Sequence, residues 1–262
     1  MALSQAQIEQ LAAHLHACQI ANRDTHKVTD DHPEMSWEDA YAVQEHIQAI
    51  QLAGGARVIG YKAGLTSHAK MKQMGVTDPV FGFLSDAYRV DDAAAIRIAD
   101  LIHPKVEPEI AFVTRETLSG PGCHIGSVLA ASDVVMPGLE VIDSRYRDFK
   151  FDLKSVVADN TSAARFVLGK QAVDARKLDL RTVGVVFEKN DAPIAFAAGA
   201  AVLGHPAAAV ALLVNHLGRR GQSLPAGSIV LSGGITEAVP VAAGDTIRLR
   251  VQGMGEVSAR FV

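Results

Sequence analysis

A chain of 262 residues, 48% hydrophobic and 21% charged, is long enough to bury a substantial core and too apolar to be a disordered segment. Its formal charge of −4, with no basic cluster, excludes a general nucleic-acid or anionic-membrane binder. Its two cysteines, Cys18 and Cys123, lie far apart and form no CxxC, which excludes a disulfide framework and points to reduced thiols in a cytoplasmic protein.

The opening stretch MALSQAQIEQLAAHLHACQ carries a capping-box pattern at Ser4 and Gln7, followed by Ile8, Leu11, Ala12, Leu15 and Cys18 at helical spacing. It lacks a basic start and an uninterrupted apolar run, so it does not read as a secretory signal. His14 and His16 are not spaced i, i+4 and read as partly exposed rather than as metal ligands. Ser36 caps a second helix carrying Trp37, Ala40, Val43, Ile47 and Ile50, which Gly54 and Gly55 close. Residues 1–55 therefore read as a small helical N-terminal lobe, and residues 56–262 as the main domain.

From Ala56 the pattern changes. ARVIGYKAGL predicts a strand, and TSHAKMKQMG a short helix capped by Thr66 or Ser67 and closed by Gly75. VEPEIAFV, PGLEVIDS, ARFVLG, TVGVVFEK, APIAFAAG, SIVLSGG, DTIRLRV and VSARFV predict strands, with EKNDAP as a hairpin turn. Helices are expected only near Ile125–Ser132 and Pro206–Leu217, the latter with Pro206 at its first position. Many short strands with few intervening helices predict an α+β fold, a mixed and mainly antiparallel β-sandwich or roll, rather than a doubly wound parallel sheet. The apolar stretch PIAFAAGAAVLG is too short and glycine-rich to cross a bilayer.

Within HPKVEPEIAFV, Glu107 and Glu109 share one face of a strand, with about 7 Å between them along the backbone. Val106, Pro108, Ile110 and Phe112 form the other, core-facing side, and the glutamate face continues into apolar Ala111 and Val113. Two readings stand: an edge strand with an acidic outer face, or a carboxylate pair that needs a cation. Pro108, lacking an N–H, suits an edge or a bulge. Glu140 in PGLEVIDS is a third strand carboxylate beside core residues, and three glutamates from two strands suit a hard divalent cation such as Mg²⁺ or Mn²⁺. Lys62, in GYKAGLTS, is either their structural counter-ion or a holder of an anionic substrate. Arg145, Arg147 and Lys150 in DSRYRDFK either add positive charge nearby or form a solvated loop. LSGG at 231–234 is a strand ending in a glycine turn.

GYKAGLTS, TDPVFGFL, HPKVEPEIAFV, MPGLEVIDSRYRDFKF, ADNTSAARFVLG and IVLSGGITEAVPVAAGD occur in an order that resembles the fumarylacetoacetate hydrolase superfamily over nearly the whole chain. They look like the branch holding the 2-keto-4-pentenoate hydratases and the 4-oxalocrotonate decarboxylases. HPKVEPEIAFV and DSRYRDFKFDLKSVVADN look closer to the decarboxylases. The resemblance implies Mg²⁺ or Mn²⁺ on Glu107, Glu109 and Glu140. It also implies Lys62, Leu65 and Ser162 on the substrate, with Asn160 or Thr161 as alternatives to Ser162, and Asp78 in the pocket. It implies decarboxylation of a keto-diacid, 2-oxohex-3-enedioate, to 2-hydroxypenta-2,4-dienoate in a cytoplasmic homo-oligomer that associates with the hydratase. Hydration of the dienol, or a non-catalytic subunit that partners the hydratase, are the competing expectations.

Overall fold

The computed structural model describes residues 2–262, excluding the side chains of Lys70, Gln73 and Met74. Two long helices come first, α1 (Gln5–Ile20) and α2 (Trp37–Ala53). Both begin with the expected reciprocal caps: the Ser4 amide donates to Gln7 Oε1 at 2.9 Å, and the Ser36 amide to Asp39 Oδ2 at 2.9 Å. Each such cap contributes about 1 kcal/mol by occupying N–H groups that have no helical acceptor. Asp39 also accepts from the amides of Ala2 and Leu3, which ties the chain start to α2. His14 is exposed and His16 half-buried.

The main strands are β1 (Val58–Gly64), β2 (Val80–Ser85), β3 (Lys105–Thr114), β4 (Ser132–Ile142), β5 (Ala163–Leu168), β6 (Gly184–Lys189), β7 (Ala192–Ala198), β8 (Ile229–Leu231), β9 (Thr246–Val251) and β10 (Gly255–Phe261). Eight strands form one sheet in the order β2-β1-β8-β3-β4-β5 and then Arg89–Val90, with Val239–Pro240 paired beside β3. Five form a second sheet in the order β7-β6-β9-β10 and then Ala95–Ile96. Pairing is antiparallel except for β1 with β8, Arg89–Val90 with β5, and β10 with Ala95–Ile96, so the mixed, mainly antiparallel architecture holds. The hairpin between β6 and β7 turns on Asn190 and Asp191, both left-handed (φ 54° and 59°), the geometry that two-residue hairpins require.

The large sheet is buried on both faces. Val106, Ile110 and Phe112 of β3 join Leu139 and Val141 of β4 in the core shared with the second sheet and with α6 (Pro206–Arg219). Ala111, Phe166 and Leu231 point the other way, into a core shared with Ile8, Leu15, Val43 and Ile47 of α1 and α2. The apolar segment Gly199–Arg219 is broken by left-handed Leu203 and Gly204, and its helical part, α6, packs in the core with Val210, Leu213, Val214 and Leu217 buried.

Besides a single helical turn at Val28–Asp31, the remaining α-helices are α3 (His68–Met74), which starts after Ser67 without a side-chain cap bond and is closed by left-handed Gly75, α4 (Ile125–Ala131) and α5 (Leu153–Ala158). The sequence pattern did not foretell α5. Asp152 caps it by accepting from the Ser155 amide at 3.0 Å, and six residues are too few to show helical periodicity.

Candidate metal centre

The two glutamates of β3 share the sheet face opposite the Val106, Ile110 and Phe112 core, where Glu107 is half-buried and lines a cavity. Glu109 is fully buried, and so is Glu140 on β4. Glu107 and Glu140 are direct cross-strand partners, while Glu109 faces Gly138. One carboxylate oxygen from each of the three glutamates lies within 4.8 Å of the others. The edge-strand reading fails, because β3 is flanked by β4 on one side and by β8 on the other. That second flank is interrupted, however. β8 pairs with residues 111–113 and Val239–Pro240 with Lys105 and Val106; between them the neighbouring chain leaves the regular ladder and keeps only the Ser232 amide on the Ile110 carbonyl (3.2 Å) and the Ile235 amide on the Pro108 carbonyl (2.9 Å). Pro108, with no N–H to leave unpaired, fits that gap.

The LSGG turn fills the gap. The Gly233 amide donates to Glu109 Oε2 at 2.6 Å, and a Cβ on Gly234 would stand 3.1 Å from the Glu107 carboxyl carbon. Gly233 has φ +103° and a Cβ there would lie 2.0 Å from Thr66 Oγ1, so only glycine fits. A turn that is weak evidence by itself thus becomes a specific carboxylate support.

Lys62, also buried, reaches Glu140 Oε2 at 3.0 Å and donates to the Thr161 carbonyl at 3.2 Å. Burial pulls its ammonium pKa down, but Glu140, Glu107 and Glu109 together push it above its ordinary value. Burial and the charges of Glu140 and Glu107 push the Glu109 carboxyl well above the usual carboxylate range. Burial pushes Glu140 up too, against the opposing pull of Lys62. Carboxylates about 4.8 Å apart repel by about 3 kcal/mol per pair at an effective dielectric of 20, and one ammonium does not offset three of them. Oε1 of Glu109 and Oε1 of Glu140 are buried without a hydrogen-bond partner among the described residues. An all-oxygen, triply anionic set with orphaned buried oxygens fits a hard divalent cation.

A left-handed turn closes the site. Asn160, Thr161 and Ser162 have φ of 46°, 50° and 62°, a costly conformation for three successive non-glycine residues. The Asn160 side chain accepts from the Phe83 amide at 2.9 Å and donates to the Phe83 carbonyl at 3.1 Å. Gly82 lets the turn approach, since a Cβ there would be 2.4 Å from Thr161 Oγ1. Arg145 braces the turn from behind. It is buried, ion-paired to Asp159, and donates to the carbonyls of Asp143 (2.6 Å) and Ala163 (3.2 Å).

A cavity of about 150 Å³ opens at the cluster. Its polar lining comes from Lys62, Thr66, Ser67, Glu107, Thr161 and Ser162, and the Ser162 hydroxyl is buried without a partner among the described residues. Leu65, Val80 and Ile142 continue the wall, and Phe149, Phe151, Leu153 and Val156 complete it with carbon. The structure thus brings together Lys62, Leu65, Ser162 and the three glutamates. It does not bring Asp78, which is exposed and lines a separate cleft with Trp37, Tyr41 and His216. Nor do Arg145, Arg147 and Lys150 supply charge to the cavity: Arg145 is the buried brace, while Arg147 and Lys150 are exposed and face Asp24 and Asp148.

Residues 37–262 match the family model described as fumarylacetoacetate (FAA) hydrolase C-terminal. The chain belongs to the fumarylacetoacetate hydrolase family. It is 55% identical to a 4-oxalocrotonate decarboxylase of Pseudomonas sp. (strain CF600), over 99% of this chain and 98% of that one. A 2-hydroxyhexa-2,4-dienoate hydratase of Comamonas testosteroni is 44% identical over 89% of each chain. The solved structure of 4-oxalocrotonate decarboxylase from Pseudomonas putida G7, complexed with magnesium and adipate, superposes with a TM-score of 0.97 at 52% identity, covering 99% of both chains.

Proposed function

We propose that this protein is a metal-dependent carboxy-lyase that converts 4-oxalocrotonate (2-oxohex-3-enedioate) to 2-hydroxypenta-2,4-dienoate and CO₂ in aromatic meta-cleavage catabolism. The observation that carries this reading is the 55% identity to a 4-oxalocrotonate decarboxylase along essentially the whole of both chains, above the 44% to the hydratase.

Glu107, Glu109 and Glu140 would hold Mg²⁺ or Mn²⁺. Bound there, the ion supplies Lewis-acid polarisation of the C2 ketone, which makes it the electron sink for C5–C6 cleavage. As that bond breaks, its electron pair moves into the C4–C5 double bond, the C3–C4 pair shifts to C2–C3, and the C2 oxygen gains the charge. A proton taken up on that oxygen completes the dienol. Lys62 sets the charge balance: a −3 carboxylate set, a divalent cation and one ammonium sum to zero before a dianionic substrate arrives. Its buried ammonium is therefore the internal charge nearest to offsetting negative charge that grows on the C2 oxygen, an interaction stronger in the transition state than in the ground state. Ser162, its hydroxyl without a partner among the described residues, donates to substrate, and Leu65 packs on the carbon chain. Asp78 takes no part in this scheme.

We also place the protein in the cytoplasm, as a homo-oligomer that passes its dienol to a hydratase. The buried, unpaired Cys18 and Cys123 support the first. Ile194 and Phe196, 42% and 73% exposed on the edge strand β7, support the second.

The deciding experiment mixes purified protein with 4-oxalocrotonate and Mg²⁺ and follows CO₂ and dienol absorbance together. Stoichiometric release of both is expected. Hydration of the dienol without CO₂ release from the diacid would reassign the protein as a hydratase. Addition of a hydratase should raise the yield of 4-hydroxy-2-oxopentanoate, and the two proteins should co-elute.

A further inference from the structure

The walls of the cavity divide by chemistry. Its polar side chains come from β1 and the loop that follows it, from β3 and from the turn at 160–162, whereas residues 149–156 present Phe149, Phe151, Leu153 and Val156. The backbone takes an unusual path to do so. Asp148 and Phe149 are both left-handed, at φ 57° and 58°, and a bulky aromatic residue is an outlier in that region. The turn carries Phe149 into the cavity wall between exposed Asp148 and Lys150. On the ring itself lies Lys105 Nζ, 4.1 Å from its centroid, and His103 packs at 4.9 Å; neither residue lines the cavity.

We infer that Phe149, backed by Lys105 and flanked by Phe151, is the specificity-determining wall for the far carboxylate of a six-carbon keto-diacid. This inference rests on the proposed reaction, in which the keto-acid end faces the glutamates and the chain extends away from them. The C6 carboxylate then meets carbon and no hydrogen-bond donor. A donor there would hold the carboxylate in its charged form, whereas the departing group becomes neutral CO₂; an apolar wall favours the product side of that change. Lys105 Nζ, 4.1 Å from the ring centroid, helps hold Phe149 in the wall.

The test compares wild type with Phe149→Gln and Phe149→Leu in the Mg²⁺-loaded protein. Adipate affinity is measured by calorimetry, CO₂ release from 4-oxalocrotonate by kinetics, and folding by thermal melts. A glutamine amide at the wall should tighten adipate binding and slow kcat, each by about tenfold, the size of one hydrogen bond to a charged group. The leucine variant, which keeps the wall apolar, should stay within about threefold of wild type in kcat. Glutamine and leucine variants with equal kcat and equal adipate affinity would overturn the inference, as would parallel losses of both quantities in the glutamine variant. The adipate measurement decides the wall even if wild type releases no CO₂, a result that would instead sink the proposed reaction.

Discussion

Glu107 and Glu140 sit directly opposite one another across the β3–β4 pair, on the buried face of the large sheet. Like charges in register destabilise a sheet, and Glu109 adds a third within 4.8 Å. The fold therefore carries repulsion that a divalent cation relieves. Glu109→Gln removes one charge and retains an oxygen for the Gly233 amide. Its metal-free melting temperature should rise by about 2–6 °C, while the Mg²⁺-induced rise expected of wild type should disappear. Scanning fluorimetry with and without Mg²⁺ checks both, and an undiminished Mg²⁺ response would remove Glu109 from the ligand set.

Lys62 answers a different question, whether its charge serves the fold or the substrate. Lys62→Met leaves Glu140 buried without its cation, so the metal-free protein should lose about 3 kcal/mol in urea unfolding. With Mg²⁺ bound, most of that loss should return, yet kcat should remain at least about a hundredfold down because the charge on the substrate is no longer offset. Full recovery of turnover alongside stability would make Lys62 a structural counter-ion only.

Gly233 offers a sharper geometric test. Gly233→Ala forces a Cβ to 2.0 Å from Thr66 Oγ1 at φ +103° and displaces the amide that holds Glu109. Mg²⁺ affinity should fall by about tenfold or more and stability by about 3 kcal/mol. Gly227 has φ +82° but open space around a Cβ, so Gly227→Ala should cost only about 1 kcal/mol and leave Mg²⁺ binding alone. Equal effects at the two glycines would mean that backbone conformation, not the glutamate support, is what matters.

His216 makes a pH prediction away from the cavity. It packs against the rings of Tyr41 (4.6 Å) and Phe81 (5.1 Å), beside Arg219 and Arg220, with Asp78 on the same cleft and Glu45 paired to Arg220. Burial, then the two arginines, hold its pKa down to about 4. The unfolded chain therefore binds a proton there between about pH 6.5 and 4 that the folded chain refuses, so stability falls as pH drops through that window. Below pH 4 this contribution levels off. His216→Asn should flatten the melting-temperature profile between pH 6.5 and 4, and an unchanged slope would assign the acid sensitivity elsewhere.

Much of this was legible in the sequence because it depends on short-range rules. Ser4 with Gln7, Gly54 after Ala53, and Asn190-Asp191 between two strands each act within a few residues, and alternation along HPKVEPEIAFV placed Glu107 and Glu109 on one face. The cavity's carbon wall was not legible. Phe149 reaches it only because Asp148 and Phe149 adopt a left-handed turn that neither residue type favours, so DSRYRDFK reads as a solvated charged loop. Arg145 illustrates the same limit: its fate as a buried brace depends on Asp159, which lies 14 residues away on another element. Asp78 shows the converse, a residue placed by likeness of motif whose side chain ends on a different cleft.

The turn at 160–162 yields the last prediction. Asn160 mimics a strand edge, satisfying both the N–H and the carbonyl of Phe83 in a buried setting, and its φ of 46° suits asparagine better than most residues. Asn160→Ala leaves two buried backbone groups unpaired and strains the turn, so unfolding free energy should fall by about 3–4 kcal/mol. Asn160→Gly loses the same hydrogen bonds without the strain and should be milder by about 1 kcal/mol. Both variants should also slow turnover more than they weaken Mg²⁺ binding, because Thr161 and Ser162 ride on this turn while the glutamates are fixed by β3 and β4. Urea titrations paired with Mg²⁺ calorimetry measure each quantity separately. Loss of Mg²⁺ affinity in step with kcat would show that the turn supports the metal centre itself rather than the substrate side of the cavity.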